Sequence, residues 1–387
     1  MSDAGESMTV RGELQESLHV PISTDLRSMG GTLYGLTHFD QLFSARQLAA
    51  MVTFSDLVND ARERIWQDAM DCGYADDDLS LDGDGTGARA YAEAVSVYLA
   101  LAVGRAADCW NSYSYWNTHS QRSNHLFSRQ SISMVWGYGE ANIFAPVAGS
   151  WYSTAVLPIL RVIDLIVVEP SGCASWQDAR NGIGSLNKFV STDPPYYDII
   201  GYADLSDFFY IWLRRSLRFV YPILFEAVAV PKAEELVAAP YRHGSKRHAE
   251  TFFRDGMAQV LSNLAAIVHP SSPITIYYAF KQSEMKADGM SSRGWESFLQ
   301  ALINAGLMIT AAWPIHCERA SRLSSLQVNS LSSAIVFVCR KRPKDAEAIT
   351  RHQFIRQLDE VIPQAIDRMT SLGGYPNEEN QEVSGRQ

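Results

Sequence analysis

The loop Asp193-Pro-Pro-Tyr196 combines residue types that suit one particular reaction. An exocyclic amino group on a heteroaromatic ring is a poor nucleophile, because its lone pair is delocalised into the ring. Asp193 could accept one N–H of such a group, and the carbonyl of Pro194 could accept the other. Pro194 and Pro195 stiffen the loop, and the Tyr196 ring offers a surface for a flipped-out base. The loop therefore suits methylation of a nucleobase amino group, although four such residues alone suit a rigid turn equally well.

The residues around this loop favour the chemical interpretation. The loop follows a strand predicted at Phe189–Ser191, and in α/β sheets ligands usually bind beyond the carboxyl ends of strands. The chain continues as YYDIIGYADLSDFFYIWLRRSL, which places Tyr197 and Asp198 directly after the motif. We therefore expect Tyr197 and Asp198 to contact the substrate or DNA.

At this point a resemblance becomes specific. The segment from Asp193 to Arg215 resembles the DPPY class of adenine-specific DNA methylases, in particular a large bacterial and archaeal family that often carries an inserted zinc ribbon. The similarity covers roughly residues 30–345 and includes HFDQLFSARQLAAMVTFSDLV (38–58), RQSISMVWGYGEANIF (129–144), RHGSKRHAETFF (242–253), ITIYYAFKQSE (274–284) and SSAIVFVCRKR (332–342).

The resemblance implies a fold, a reaction and a cofactor. The implied fold is a Rossmann-like methyltransferase sheet. The implied reaction is transfer of a methyl group from S-adenosylmethionine to the N6 amino group of adenine in DNA, while the N4 amino group of cytosine, which uses the same geometry, stays open. The implied catalytic residues are Asp193, Pro194, Pro195 and Tyr196.

One expected element is missing from the sequence. Members of this class resemble one another in an upstream Asp-Pro-Phe-x-Gly-x-Gly loop that holds the methionine part of the cofactor, and this chain has no such loop. The cluster DGDGTG at 82–87 follows no apolar strand, so we interpret it as a solvated loop. No zinc ribbon is present either. The chain resembles the DPPY half of the enzyme without the cofactor-binding half.

Three explanations for the missing half remain open. A second chain could donate the cofactor-binding half, or a divided gene could encode an inactive product. Alternatively, residues 1–40, with Thr32–Leu36 as the candidate, could cover the sheet edge that is left vacant. We favour the first two and do not expect methyl transfer by this polypeptide alone. A non-catalytic DNA-binding or assembly subunit is the competing hypothesis.

Other polar residues are candidates for the same pocket. Glu140 and Asn142 lie in a segment shared with the family and could line the cofactor or base pocket, although most residues of such a segment form core. Lys281 and Glu284 follow the next predicted strand at its carboxyl end and could also line the pocket. His316, Cys317 and Glu318 are adjacent on an extended chain and point in alternate directions, so we expect no metal there.

Basic residues provide candidate phosphate contacts. The formal charge is −10, which argues against coating nucleic acid through bulk positive charge but permits a local basic face. The candidates are Arg214, Arg215, Arg242, Lys246 and Arg247. For the first two, a solvated helix face with salt bridges is an equally good interpretation.

Apolar spacing predicts the elements that position these residues. Helices are predicted within Phe39–Met70 and over Tyr91–Trp110, and later near 204–226, 246–268 and 292–305. Strand-length apolar runs occur at Phe189–Ser191, Ile274–Phe280, Leu307–Trp313 and Ala334–Cys339. Alternating strands and helices indicate a parallel sheet, and the short connection between the last two runs favours an antiparallel pair. The predicted class is α/β, a partial Rossmann-like methyltransferase sheet with an added helical region.

We divide the 387-residue chain into four parts. They are a loose lead-in (1–30), a mainly helical region (31–150), the catalytic core (151–345), and a C-terminal helix with a disordered tail (346–387). The five cysteines are scattered without a CxxC pair, which is typical of reduced cytosolic thiols. The sequence shows neither a secretory signal nor a membrane-spanning run, so a cytoplasmic protein is expected.

Overall fold

The computed structural model describes residues 18–25, 28–128, 130–167, 172–182, 184, 186–197, 200–278, 293–316, 333–343, 345–346 and 349–372. The helices are α1 (Ala45–Asp71), α2 (Ala88–Ala107), α3 (Leu157–Ile163), α4 (Tyr202–Leu217), α5 (Pro240–His243), α6 (Lys246–Ile267), α7 (Arg293–Asn304) and α8 (Arg351–Leu372). The strands are β1 (Trp116–Asn117), β2 (Arg122–Ser123), β3 (Val190–Thr192), β4 (Ile274–Tyr278), β5 (Leu307–His316) and β6 (Ser333–Lys341).

The N-terminal half is built around α1 and α2. Helix α1 begins where Ser44 caps it, because Ser44 Oγ accepts from Gln47 N at 3.3 Å and Ser44 N donates to Gln47 Oε1 at 2.8 Å. Helix α2 is rich in buried alanines, and these small side chains let it pack closely against both α1 and α4. Helices predicted from apolar spacing in these two segments are confirmed.

The four-stranded sheet has the order β3-β4-β6-β5. Strands β3 and β4 are parallel, with Ser191 opposite Thr275. Strand β6 runs antiparallel to both β4 and β5, so the predicted antiparallel pairing of the last two strands is confirmed. The α/β class is also confirmed. Within the described part of the chain β3 has a partner on one side only and is therefore an edge strand.

Two hydrophobic cores organise the structure. The first core joins α1, α2 and α4 and includes the large buried side chains of Phe39, Met51, Trp110, Phe208 and Trp212. The second core lies between the sheet and helices α6 and α7 and includes Phe253, Ile274, Phe298, Leu302 and Phe337. Helix α4 follows β3 in sequence but packs in the first core. The proposed boundary at residue 150 therefore does not separate these two cores.

The N-terminal segment corrects two expectations. Leu18, Val20 and Ile22 are buried in the first core, so residues 18–25 are not a loose lead-in. The stretch proposed to cover the sheet edge instead forms a 3-10 helix, Gly30–Tyr34, and Met29 just before it bridges to Ile132 rather than to β3. Residues 30–34 therefore do not pair with β3, while residues 1–17 lie outside the described residues.

The C-terminal part differs from its prediction in one respect. Residues 369–372, expected in a disordered tail, belong to α8, while 373–387 lie outside the described residues.

Helix α4 ends at Leu217, earlier than the predicted 226, and 218–225 form turns. None of the helices seen in the described ranges is long and apolar enough to span a membrane.

Candidate active-site loop

The loop after β3 presents its carboxylate to solvent. Strand β3 ends at Thr192, and Asp193, the next residue, is exposed. Tyr196 Oη donates a hydrogen bond of 2.6 Å to Asp193 Oδ1. Pro194 and Pro195 between them are half-buried. The carboxylate that the chemistry requires is thus accessible and held by the aromatic residue of its own motif.

Aromatic contacts anchor this loop to the second core. The Tyr196 ring meets Tyr278 edge to face with centroids 5.8 Å apart, and Tyr197 meets Phe253 in the same way at 5.1 Å. Tyr197 has a positive φ of 45°, a conformation that a bulky residue adopts only when its surroundings hold it. The backbone N–H of Ala238 holds it by donating to Tyr197 O at 2.8 Å. Tyr197, which was predicted to contact the substrate or DNA, therefore helps to hold the loop on the second core.

A cleft of about 280 Å³ lies between the start of α4 and the segment 127–130. Aromatic and small polar residues line it, namely Phe127, Ser128, Gln130, Tyr202, Leu205, Ser206 and Phe209. Partial burial raises the pKa of Tyr202, and the negative charges of Asp193 and Glu235 raise it further. The charge of Asp193 thus acts on one residue of the cleft, while no residue of the 193–197 loop is part of the cleft lining.

Arg242, one of the predicted DNA contacts, belongs to a buried cluster of ion pairs. Arg242 donates to Asp204 Oδ2 at 2.7 Å and to Glu235 Oε2 at 2.5 Å, and its side chain is 7% exposed. Tyr241 Oη also donates to Asp204. Burial and this hydrogen bond to Asp204 raise the pKa of Tyr241. The expectation that Arg242 contacts DNA is corrected, because its guanidinium is enclosed by carboxylates that neutralise it.

Two further arginines are also engaged within the fold. Arg215 on α4 forms a bidentate pair with Asp56 on α1, with both N–O distances at 2.8 Å. Arg214 Nε donates to the carbonyl of Phe225 at 3.1 Å. Of the two interpretations that were left open, these contacts favour the structural one for Arg215, which joins two helices of the first core.

The start of α6 retains accessible basic residues. Lys246 and Arg247 are exposed in its first turn, which Ser245 caps by accepting from His248 N at 3.2 Å. The preceding Gly244 has φ 73°, which favours glycine because it has no Cβ. Among the predicted phosphate contacts in the described ranges, Lys246 and Arg247 remain the accessible pair.

Glu140 and Asn142 lie in a different cleft, of about 240 Å³, with no residue of the 193–197 loop in its lining. Glu140 accepts two hydrogen bonds from Arg46, from Nη2 at 2.7 Å and from Nε at 3.2 Å. The hydrogen bond from Arg46 lowers the pKa of Glu140. This contact joins the segments 38–58 and 129–144, but the structure does not bring Glu140 to Asp193.

The glycine cluster at 82–87 is explained by its own packing. Thr86 N and Gly87 N donate to Asp77 Oδ2 at 2.8 and 3.2 Å. A Cβ on Gly87 would lie 2.7 Å from Asp77 N, so this glycine is required locally. The backbone donors that could hold a ligand already bind Asp77. In the part of the chain that the structure describes, this cluster therefore does not fit the methionine end of S-adenosylmethionine.

Some predicted residues cannot be placed. Asp198, Lys281 and Glu284 lie outside the described residues, as do Cys317 and Glu318. Among the residues that are described, no group of three or more His, Cys, Asp or Glu could hold a metal ion.

Sequence reasoning did not assign a site role to Tyr202 or Gln47. Tyr202 follows Tyr196 by six residues and begins α4, so the sequence places it near the loop but does not indicate that it lines a cleft. Gln47 is the third residue of α1 in a Ser-x-x-Gln capping box, which indicates a helix start but not a ligand.

Comparison with known proteins identified no relative of this chain. No protein-family model, no curated protein and no solved structure matches this chain. The methylase resemblance therefore rests on the residues quoted above and stays a prediction.

Proposed function

We propose that this chain is the base-orienting part of an S-adenosylmethionine-dependent DNA amino-methyltransferase, acting on N6 of adenine or, with the same geometry, N4 of cytosine. One observation carries the proposal: an exposed Asp193 directly follows the carboxyl end of β3 and is held there by Tyr196. That placement suits a base taken out of the DNA stack.

In this proposal the chain acts by positioning. Asp193 accepts one hydrogen of the exocyclic amino group and the Pro194 carbonyl accepts the other, so the nitrogen lone pair is turned toward the methyl donor. The rings of Tyr196, Tyr202 and Phe209 supply surfaces on which the base can stack, a contact worth roughly 1–3 kcal/mol per base.

The sheet topology supports the same proposal. Because β6 is antiparallel to both β4 and β5, strands β3, β4 and β5 all run in one direction. A parallel β3–β4 pair followed by a terminal antiparallel pair is compatible with the part of the methyltransferase sheet that the resemblance implies.

The β3 edge supports a second chain as partner. Phe189 is 86% exposed and Leu186 is 68% exposed, directly before an edge strand. Unpaired backbone groups beside exposed apolar side chains favour association with another strand. We therefore propose that a second chain covers this edge and contributes the part that holds S-adenosylmethionine, which supplies the methyl group when bound.

Transfer of a labelled methyl group to DNA tests the proposal. The chain is assayed alone and with a candidate partner that carries an Asp-Pro-Phe-x-Gly-x-Gly loop, sought first in the neighbouring reading frames. We expect transfer only with the partner and its loss in Asp193→Ala. Asp255→Ala is the matched control, because Asp255 is exposed and pairs only with its neighbour Arg254 among the ion pairs seen. Undiminished transfer by Asp193→Ala would overturn the proposed role of the loop.

A non-catalytic DNA-binding or assembly subunit is the second candidate. It is favoured by the lack of a described site that fits the methionine end of the cofactor, together with the exposed Lys246 and Arg247. DNA binding without methyl transfer in either setting would favour this candidate.

A further inference from the structure

A second cleft, distant in sequence from the Asp193 loop, has the properties of a ligand site. It encloses about 240 Å³ between the start of α1 and the segment around residue 142. Its apolar walls include Trp110, Ile143 and Phe144, and Gln47, Glu140 and Asn142 supply its polar groups. Small apolar clefts with a few convergent polar groups are the usual form of small-molecule sites.

Gln47 is the side chain that points to a ligand. It is 4% exposed, and within the described residues its Nε2 has no hydrogen-bond partner. The orientation of the amide is set by its other atom, because Gln47 Oε1 accepts from Ser44 N at 2.8 Å. A buried N–H donor is seldom left without an acceptor. The cleft therefore lacks one hydrogen-bond acceptor that a ligand could provide.

A potential acceptor stands near this donor. Gln47 and Glu140 line the same cleft, and Ser44 N donates to Gln47 Oε1. The charge of Glu140 is balanced by Arg46, whose Nη2 lies 2.7 Å from it, so the cleft has no net charge to attract an ion. The cleft offers a hydrogen-bond donor, Gln47, and an acceptor, Glu140, between apolar walls. This combination favours a neutral, planar ligand that carries an acceptor and a donor on the same edge.

We propose that this cleft binds a nucleobase, with Gln47 Nε2 donating to a ring nitrogen or carbonyl oxygen. Nucleobases are neutral and planar, and each edge places acceptors beside donors. Phe144, which is 81% exposed, provides the aromatic surface that base binding uses. The base can come from a free nucleoside or from a nucleic acid strand. The inference does not depend on methyl transfer and concerns residues other than the Asp193 loop.

Calorimetry with the full chain tests the proposal, using adenosine and cytidine as probes and ribose as the probe without a base. We expect the nucleosides to bind and ribose not to bind. Gln47→Glu keeps the oxygen that accepts from Ser44 N but removes the buried donor, so we expect about tenfold weaker binding. Ala50→Leu fills part of the cleft and should weaken binding in the same way.

Gln41→Glu is the matched control. Gln41 also serves a capping box, accepting from Thr37 N at 2.7 Å, but it does not line the cleft; binding should be unchanged. Asp193→Ala should also leave binding unchanged, which separates this site from the proposed methylation loop.

A single-stranded oligonucleotide distinguishes the two sources of the base. If it binds and nucleosides do not, with the same sensitivity to Gln47→Glu and Ala50→Leu, the base belongs to a nucleic acid strand. The proposal is overturned if neither probe binds, if both cleft variants bind as tightly as the unmodified chain, or if Asp193→Ala removes the binding.

Discussion

Tyr196 and Asp193 form a hydrogen bond of 2.6 Å within one four-residue motif. The phenol holds the carboxylate at the protein surface, while the ring itself rests against Tyr278 in the second core. The aromatic residue of the motif thus has two separable contributions, a hydroxyl that orients the acid and a ring that can face a base.

Substitution of Tyr196 separates these two contributions. Tyr196→Phe removes only the hydroxyl, and we expect methyl transfer with the partner chain to fall by no more than about tenfold, the value of one hydrogen bond. Tyr196→Ala also removes the ring, and loss of stacking should reduce transfer much further. Steady-state rates on a DNA substrate measure both variants. Equal rates for Phe and Ala variants would contradict a stacking role.

The buried cluster around Arg242 predicts a large stability effect. Arg242→Met leaves the carboxylates of Asp204 and Glu235 without their shared cation, and we expect a loss of about 3–5 kcal/mol in the free energy of unfolding. Urea denaturation followed by circular dichroism measures the change. Arg254→Met is the control: its side chain is 55% exposed, so a change within about 0.5 kcal/mol is expected. Similar losses in both variants would argue against the cluster.

The salt dependence of DNA binding distinguishes basic residues that contact phosphates from those that form ion pairs within the fold. Removing Lys246 and Arg247 together should reduce the slope of log K against log salt by about 2, because each phosphate contact contributes about 0.9. Arg215→Ala should leave the slope unchanged, since Arg215 already pairs with Asp56, and should instead lower stability by roughly 1 kcal/mol or less. Fluorescence anisotropy titrations at several salt concentrations measure the slopes. An unchanged slope in the double variant would remove these residues from the DNA contact.

His125 predicts a dependence of stability on pH. His125 Nδ1 donates a hydrogen bond of 2.7 Å to Asp108 Oδ2, and this bond, with a further contact to Cys109 Sγ, raises the pKa of His125 from 6.5 to about 10. Because the folded pKa is raised, its stabilising contribution is complete below pH 6.5 and is lost as the pH rises toward about 10.

Urea midpoints at pH 6, 8 and 10 check this dependence. The unmodified chain should lose more stability across that range than His125→Gln, which lacks the titrating ring. His119→Gln, at an exposed histidine, serves as the matched control and should behave like the unmodified chain. Parallel pH profiles for all three proteins would show that the His125–Asp108 pair contributes nothing.

Local signals in the sequence predicted much of the fold. Apolar spacing located α1, α2, α6 and the four sheet strands, because helices and strands bury side chains with different periods. The short connection before β6 predicted its antiparallel pairing. The exposed position of Asp193 follows from its place directly after a strand, which is also a local property.

Contacts between distant segments could not be predicted in this way. Arg215 and Asp56 are 159 positions apart, and the sequence alone does not distinguish an arginine with such a partner from one that faces solvent. The same holds for Arg242, whose carboxylate partner Asp204 is 38 positions away. The burial of Leu18, Val20 and Ile22 was missed for the same reason, since the surface that covers them belongs to the first core.

Strand β3 packs in the second core and helix α4 in the first, so the segment that carries the Asp193 loop leads from one core to the other. A change in the angle between the two cores would therefore move the carboxylate relative to Tyr202, with no rearrangement inside either core. The buried ion pair between Asp204 on α4 and Arg242 on α5, which contacts α6, joins elements of both cores and opposes such a change.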